Sequence, residues 1–169
     1  RDRFQYKLLS KKSDEVVLDS SEDWFVVNSG RKGLYRVKYG GSTLEKLGEL
    51  IEEKTLDNSD RWGIQNDLFA LCMAGDATLR EYVEFIGSYV NEDDYLVSVD
   101  IADSLYFLYL ISSEEKFWDE IKEGGREYFG NVFARLGWDP SPEDKHTDAL
   151  LRSFIITALG RLGDEEVLA

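Results

Sequence analysis

At Gly40–Gly41 the hydrophobic period of the sequence changes from two residues to three or four, and that change divides the chain into two kinds of structure. Before it, Trp24-Phe25-Val26-Val27-Asn28 and Leu34-Tyr35-Arg36-Val37-Lys38-Tyr39 are rich in β-branched and aromatic residues. Ser29–Gly33 between them is turn chemistry, so a hairpin is expected. In the second stretch Tyr35, Val37 and Tyr39 alternate with Leu34, Arg36 and Lys38, which makes one face apolar and the other largely basic. Phe4–Leu9 and Val16–Leu18 read as two further short strands. After Gly41, Leu44, Leu47, Leu50 and Ile51 form the first of several helical stripes.

The expected helices span 42–54, 60–74, 78–90, 94–112, 114–136 with a break at Gly124–Gly125, 144–162, and a start from Asp164. Ser42–Glu45, Thr78–Glu81 and Ser112–Glu115 each have the spacing of a capping box, in which a hydroxyl and a carboxylate satisfy free backbone donors. Gly75, Gly137 and Gly163 stand where a residue of positive φ closes the preceding helix. The connections are short, so sequential helices are antiparallel neighbours. The fold class read from this pattern is mainly α. A short β segment over residues 1–41 is followed over 42–169 by an α-solenoid-like domain of antiparallel helical pairs.

Charge follows the same division. Residues 1–41 carry nine Lys and Arg against six Asp and Glu, a balance of +3, whereas 42–169 carry eleven against twenty-eight, a balance of −17. A net charge of −14 opposes binding to nucleic acid or anionic lipid, because affinity for either comes largely from clustered cations. No apolar run is long enough to span a bilayer, and no basic-then-apolar leader opens the chain. With one cysteine, Cys72, no intramolecular disulfide forms; Leu68, Leu71 and Met73 around it indicate a buried thiol, which fits a cytoplasmic location.

Familiar catalytic centres are missing from these residues. A helical zinc site needs two histidines one turn apart with a Glu between them, and His146 is the single histidine. Asp139, Glu143, Asp144 and Asp148 surround it in sequence, so a weak surface metal site competes there with a simpler solvated histidine. Ser141 and Ser153 lie nearby without a nucleophile elbow. Asp57–Gly63 imitates a calcium loop, but Arg61 occupies a ligand position and the glycine comes one place late; capping at Ser59 is the simpler reading. Carboxylate pairs follow from composition alone, with 34 Asp and Glu in the chain. The aromatics at helical spacing, Tyr82 to Trp118, are core first and a peptide groove second.

Trp24 to Asn28 followed by Gly33 to Tyr39 resembles a signature of the gluzincin zinc aminopeptidases, written roughly W-x-x-x-N and then G-x-Y-R-V-x-Y. This is the family of aminopeptidase N, puromycin-sensitive aminopeptidase and the archaeal tricorn-interacting factors. Arg3-Phe4, Asp60-Arg61 with Asp67 and Phe69, Ala74-Gly75, Leu136-Gly137-Trp138 and Leu151-Arg152 follow the family order. Lys38 and Gly40 depart from it, standing where Asn and Asp are common. The resemblance implies the end of a β-sandwich domain plus the first part of the helical C-terminal domain, a non-catalytic wall or lid over the active site. The zinc and its ligands would lie in the catalytic domain of the parent chain, so no catalytic or metal residue and no cofactor is assigned to these residues. Trp24, Asn28, Gly33, Tyr35, Arg36, Tyr39, Arg61, Asp67 and Arg152 are expected to be structural or interdomain. The partners implied are the parent's own catalytic domain and peptide substrates, with dimerisation through unpaired strand edges an added expectation. The alternative is a free-standing acidic helical-repeat scaffold that binds a protein or peptide.

Overall fold

The computed structural model describes residues 4–18, 24–112 and 117–169. Among these the fold is mainly α: α1 (Gly41–Glu52), α2 (Asn58–Ala74), α3 (Leu79–Ile86), α4 (Tyr95–Ile111), α5 (Trp118–Leu136), α6 (Asp148–Leu162) and α7 (Glu165–Leu168). A 3-10 turn, Gly87–Tyr89, continues α3, and another, Ser29–Arg31, precedes α1. Helix α2 packs on α4 and α4 on α6, while α3 packs on α5. Contacts of α2 with α3, α4 with α5, and α6 with both α5 and α7 tie these two rows together.

Helix α4 packs against three other helices, and its composition suits that position. It is apolar nearly all round, which suits a helix covered on several sides by α2, α5 and α6. Val97, Ile101, Ala102, Leu105 and Leu108 are buried from it and share one core with Tyr82, Phe129, Ile155 and Leu159. Each large apolar side chain so enclosed contributes about 1.5–3 kcal/mol relative to exposure. Cys72 is buried as well, its Sγ 3.1 Å from the Thr78 carbonyl oxygen, and burial pushes its thiol up to about 11.

Local signals were realised unevenly. Thr78 and Glu81 form the expected box: the Thr78 hydroxyl accepts from the Glu81 N–H at 3.1 Å and the Glu81 carboxylate accepts from the Thr78 N–H at 2.7 Å. Gly75, Gly137 and Gly163 close their helices with φ of 79°, 64° and 73°. The Ser42–Glu45 box is absent, because α1 begins one residue earlier and Ser42 falls inside its first turn, with Gly40 as cap. Ser59 is likewise inside α2, which is capped at Asp57 without a side-chain bond. Residues 113–116, within the third expected box and at the start of the fifth expected helix, lie outside the described residues, as does Arg3.

Two larger differences concern glycine and strand. Helix α5 runs unbroken through Gly124–Gly125. A Cβ at Gly124 would lie 2.7 Å from Val83 Cγ1 and one at Gly125 would lie 3.1 Å from Leu162 Cδ1, so the pair lets α5 approach α3 and α6 rather than ending it. The short β segment is not seen: among the described residues there is no strand. Side chains take the donors a ladder would use. The Val27 N–H bonds to the Tyr39 hydroxyl at 3.0 Å, the Gly33 N–H to Asn28 Oδ1 at 2.6 Å, and the Val37 N–H to Asp67 at 3.1 Å. Phe4–Leu9 and Val16–Leu18 are exposed, and the loop between them is drawn together by Lys7, which pairs with Asp14 at 2.8 Å.

Candidate functional site

Helix α2 carries Asp60 and Asp67 two turns apart, which places both carboxylates on one face. Both are buried, Asp67 with 1% of its surface accessible, and both point at the segment that precedes α1. Asp60 accepts from the Ser29 hydroxyl at 2.7 Å and from the Gly30 N–H at 2.6 Å. Asp67 accepts two parallel bonds from the Arg31 guanidinium at 2.7 and 2.8 Å, one from Arg36 at 3.0 Å, and the Val37 N–H. Burial alone would raise the Asp67 carboxyl; the two guanidinium groups and the amide outweigh it and hold the group below its usual range. Arg31 is correspondingly raised, first by its bonds to Asp67.

A left-handed turn sets up this geometry. Asn28 and Arg31 have φ of 62° and 55°, and Gly30 has 69°. Such angles are uncommon for residues with a Cβ, and the Asn28 side chain supports them by bonding both the N–H and the carbonyl of Gly33, at 2.6 and 2.9 Å. Arg31 thereby lies over the Trp62 ring, 5.6 Å from its centroid, and crosses α2 at Gly63, where any Cβ would collide with its side chain. Beyond Arg36, Lys38 reaches the Asp76 carbonyl, and half-buried Tyr39 packs on the core with its hydroxyl pushed up to about 12 by burial.

The ionic contacts continue inward. Arg36 also bonds Asn66 Oδ1, Asn66 donates to Asp100 at 3.1 Å, Gln65 donates to the same carboxylate, and the fully buried Tyr82 hydroxyl donates to Gln65 at 3.1 Å. A polar chain thus connects the leading segment to α4 and α3. Separately, Arg61 and Glu92 form a buried two-bond pair at 2.7 and 2.8 Å, and Glu92 also accepts the N–H groups of Asp93 and Asp94. Arg152 donates to the carbonyls of Leu136 and Gly137 and to Asp144 at 2.6 Å, fastening the α5–α6 connection to α6.

The residues singled out in sequence are therefore distributed. Asn28, Gly33, Arg36, Tyr39 and Asp67 belong to one cluster; Arg61 and Arg152 anchor two others. Trp24 is half-buried against the core, and Tyr35 is exposed beside Gly33. Arg31, Asp60 and Glu92 were missed as site residues. Arg31 looked like part of a turn, whereas the spacing of Asp60 and Asp67 was a readable signal for two acids on one helical face.

Chemically this arrangement fastens one segment of the chain to another. The Asp60, Asp67 and Glu92 carboxylates are occupied by N–H, hydroxyl or guanidinium donors, which leaves no free base there. The two-histidine zinc motif does not fit the residues present, since His146 is alone in the sequence and exposed. Two shallow grooves of about 290 and 380 Å³ share the half-exposed Trp138 and are lined mainly by small and apolar residues of α5 and α6.

The fold and its ion pairs thus define a helical module fastened to the segment that leads into it. Residues 24–169 match the family model described as ERAP1-like C-terminal domain, and the chain belongs to that family. Among curated proteins it is 34% identical over 149 residues to Aminopeptidase M1 of Arabidopsis thaliana, covering 86% of this chain and 17% of the relative. It is 32% identical to the Tricorn protease-interacting factor F2 of Thermoplasma volcanium, over 78% of this chain and 16% of that protein. Puromycin-sensitive aminopeptidase of Caenorhabditis elegans is 28% identical over 95% of this chain and 17% of its own length. The chain spans about one-sixth of these relatives, and the aminopeptidase resemblance seen in its motifs is shown by them.

Proposed function

We propose that this chain is the non-catalytic helical region of a zinc-dependent aminopeptidase that removes N-terminal residues from peptides, and that it forms a wall or lid over the active site. The observation that carries the reading is the match of residues 24–169 to a C-terminal domain family, joined to relatives named as aminopeptidases. The two rows of helices suit a solenoid of antiparallel pairs, with 42–169 the first part of the helical domain; the placing of residues 1–41 at the end of a preceding β-sandwich rests on the motif resemblance alone, since their described part forms no strand. Its partners are the catalytic domain of the same parent chain, which supplies the zinc, and peptide substrates. A wall of this kind would act by excluding bulky folded chains and orienting short ones, a positional rather than chemical contribution.

Among the described residues no helix is long and apolar enough to cross a membrane; the cytoplasmic location is proposed from the lone buried thiol and the acidic composition. The dimer has no support in the structure, since no strand edge is formed among the described residues. The scaffold alternative is disfavoured by the family match. The test is peptide-length discrimination by the longer polypeptide that carries this module. Removing residues 42–169 is expected to flatten the dependence of kcat/KM on peptide length while leaving hydrolysis of an amino-acid anilide measurable. Unchanged length dependence would remove the wall role.

A further inference from the structure

We propose that residues 28–39 form a strap latched along α2 by Asp60 and Asp67, so that this segment moves with the helical module and the Gly40–Gly41 doublet is not a joint between them. The inference rests on contacts within this chain and stands or falls separately from the peptidase reading. The doublet is where a hinge would be sought: charge and hydrophobic period both change there, and neither glycine has anything within 4 Å of where a Cβ would be.

The contacts argue otherwise, because the strap is attached at successive points up the helix. Ser29 and Gly30 sit on Asp60; Arg31, Arg36 and Val37 sit on Asp67, about 10 Å further along at 1.5 Å per residue. Lys38 then reaches the Asp76 carbonyl just past the end of α2. One attachment would permit a swivel, whereas three spaced along α2 fix the direction of the strap, and the two-bond Arg31–Asp67 pair, Arg31 over Trp62 and Arg36 on Asn66 hold it against rotation about that line. Past the glycines, the Leu44 N–H bonds to the Gly40 carbonyl at 2.9 Å and Leu47 is fully buried, so the chain is held on that side as well.

The strap is also internally closed by the Asn28 side chain on Gly33, which makes it a preformed loop and not a length of free chain. Arg36 extends the latch through Asn66 to Asp100 on α4. A displacement arriving from the N-terminal side of Asn28 is therefore delivered to α2 and α4 instead of being absorbed at the doublet.

Amide exchange of the 169-residue chain, followed residue by residue by NMR, tests the latch. The Gly30, Arg31, Gly33 and Val37 amides have side-chain or turn acceptors and are expected to exchange at least tenfold more slowly than free-chain rates. Inserting Gly-Gly-Ser between Gly40 and Gly41 is expected to change their protection less than twofold, since the strap does not depend on its continuation into α1. The double variant Arg31→Gln/Arg36→Gln is expected to speed exchange at Gly30 and Val37 at least tenfold while Ile101 and Leu105 in α4 keep their protection. Asp67→Asn should do the same, and if it unfolds α4 the double variant decides. Free-chain exchange across the strap in the wild type, its release by the insertion, or undiminished protection in the double variant would each overturn the proposal.

Discussion

Truncating Glu92 to Ala should be among the most damaging single changes in this molecule. Its side chain is 1% exposed and that of Arg61 is 8% exposed, so the pair is withdrawn from solvent. Arg61 donates two bonds to Glu92 and one to the Leu56 carbonyl, while Glu92 also holds the Asp93 and Asp94 amides that lead into α4. Removing the carboxylate leaves a buried guanidinium with one backbone acceptor, and breaking buried pairs in this way costs about 3–5 kcal/mol. For a chain of this length each kcal/mol moves Tm by about 2–4 °C, so a fall of about 6–20 °C is expected. Urea and thermal unfolding followed by circular dichroism measure it. Glu92→Gln keeps an acceptor for the two amides but not the charge, and should still lose most of that stability. Arg61→Met/Glu92→Leu removes both charges and should be less unstable than Glu92→Ala. A Glu92→Ala midpoint within about 1 kcal/mol of wild type would refute the reasoning, because that is the range of exposed pairs.

Two further outcomes follow from the same structure. Because Asp67 is held below its usual range in the fold, its stabilising contribution is complete above the unfolded value of about 4 and is lost as pH falls through the folded value; Asp67→Asn should therefore lose less of its remaining stability between pH 5 and 2 than wild type does, and parallel pH profiles would count against the latch. In α5, Gly130→Ala should be neutral or stabilising by up to about 1 kcal/mol, since its Cβ would meet nothing within 4 Å, whereas Gly124→Val should cost about 1–3 kcal/mol by overpacking against Val83; equal midpoints for the two variants would contradict the close approach of α5 and α3.

How far sequence reached can be judged at particular residues. The helices were legible because their stripes are long and periodic, and because Gly75, Gly137 and Gly163 punctuate them. Thr78–Glu81 and Ser42–Glu45 have the same spacing, yet only the first became a box; the difference lies in where α1 starts, which packing of Leu47 and Ile51 sets as much as local chemistry. Gly124–Gly125 looked like a break because glycine costs about 1 kcal/mol in a helix, and the close neighbours that compensate were invisible in one dimension. The Trp24–Asn28 and Leu34–Tyr39 stretches have strand propensity, but a strand is made by its partners, and here side chains took those places. Arg36 could be placed on a polar face from alternation alone, whereas the turn at Ser29–Gly33 was legible but not the positive φ of Arg31 that carries its guanidinium to Asp67.

The proposed place of this chain as the helical region of a zinc aminopeptidase can be checked on the natural polypeptide captured from its source with an antibody to residues 42–169, assayed for release of leucine from leucine p-nitroanilide beside the 169-residue chain. The captured polypeptide is expected to show turnover that a chelator abolishes and zinc restores, and the 169-residue chain none at any zinc concentration. Chelator-sensitive turnover by the 169-residue chain itself, or a captured polypeptide that neither binds zinc nor cleaves the substrate, would contradict it.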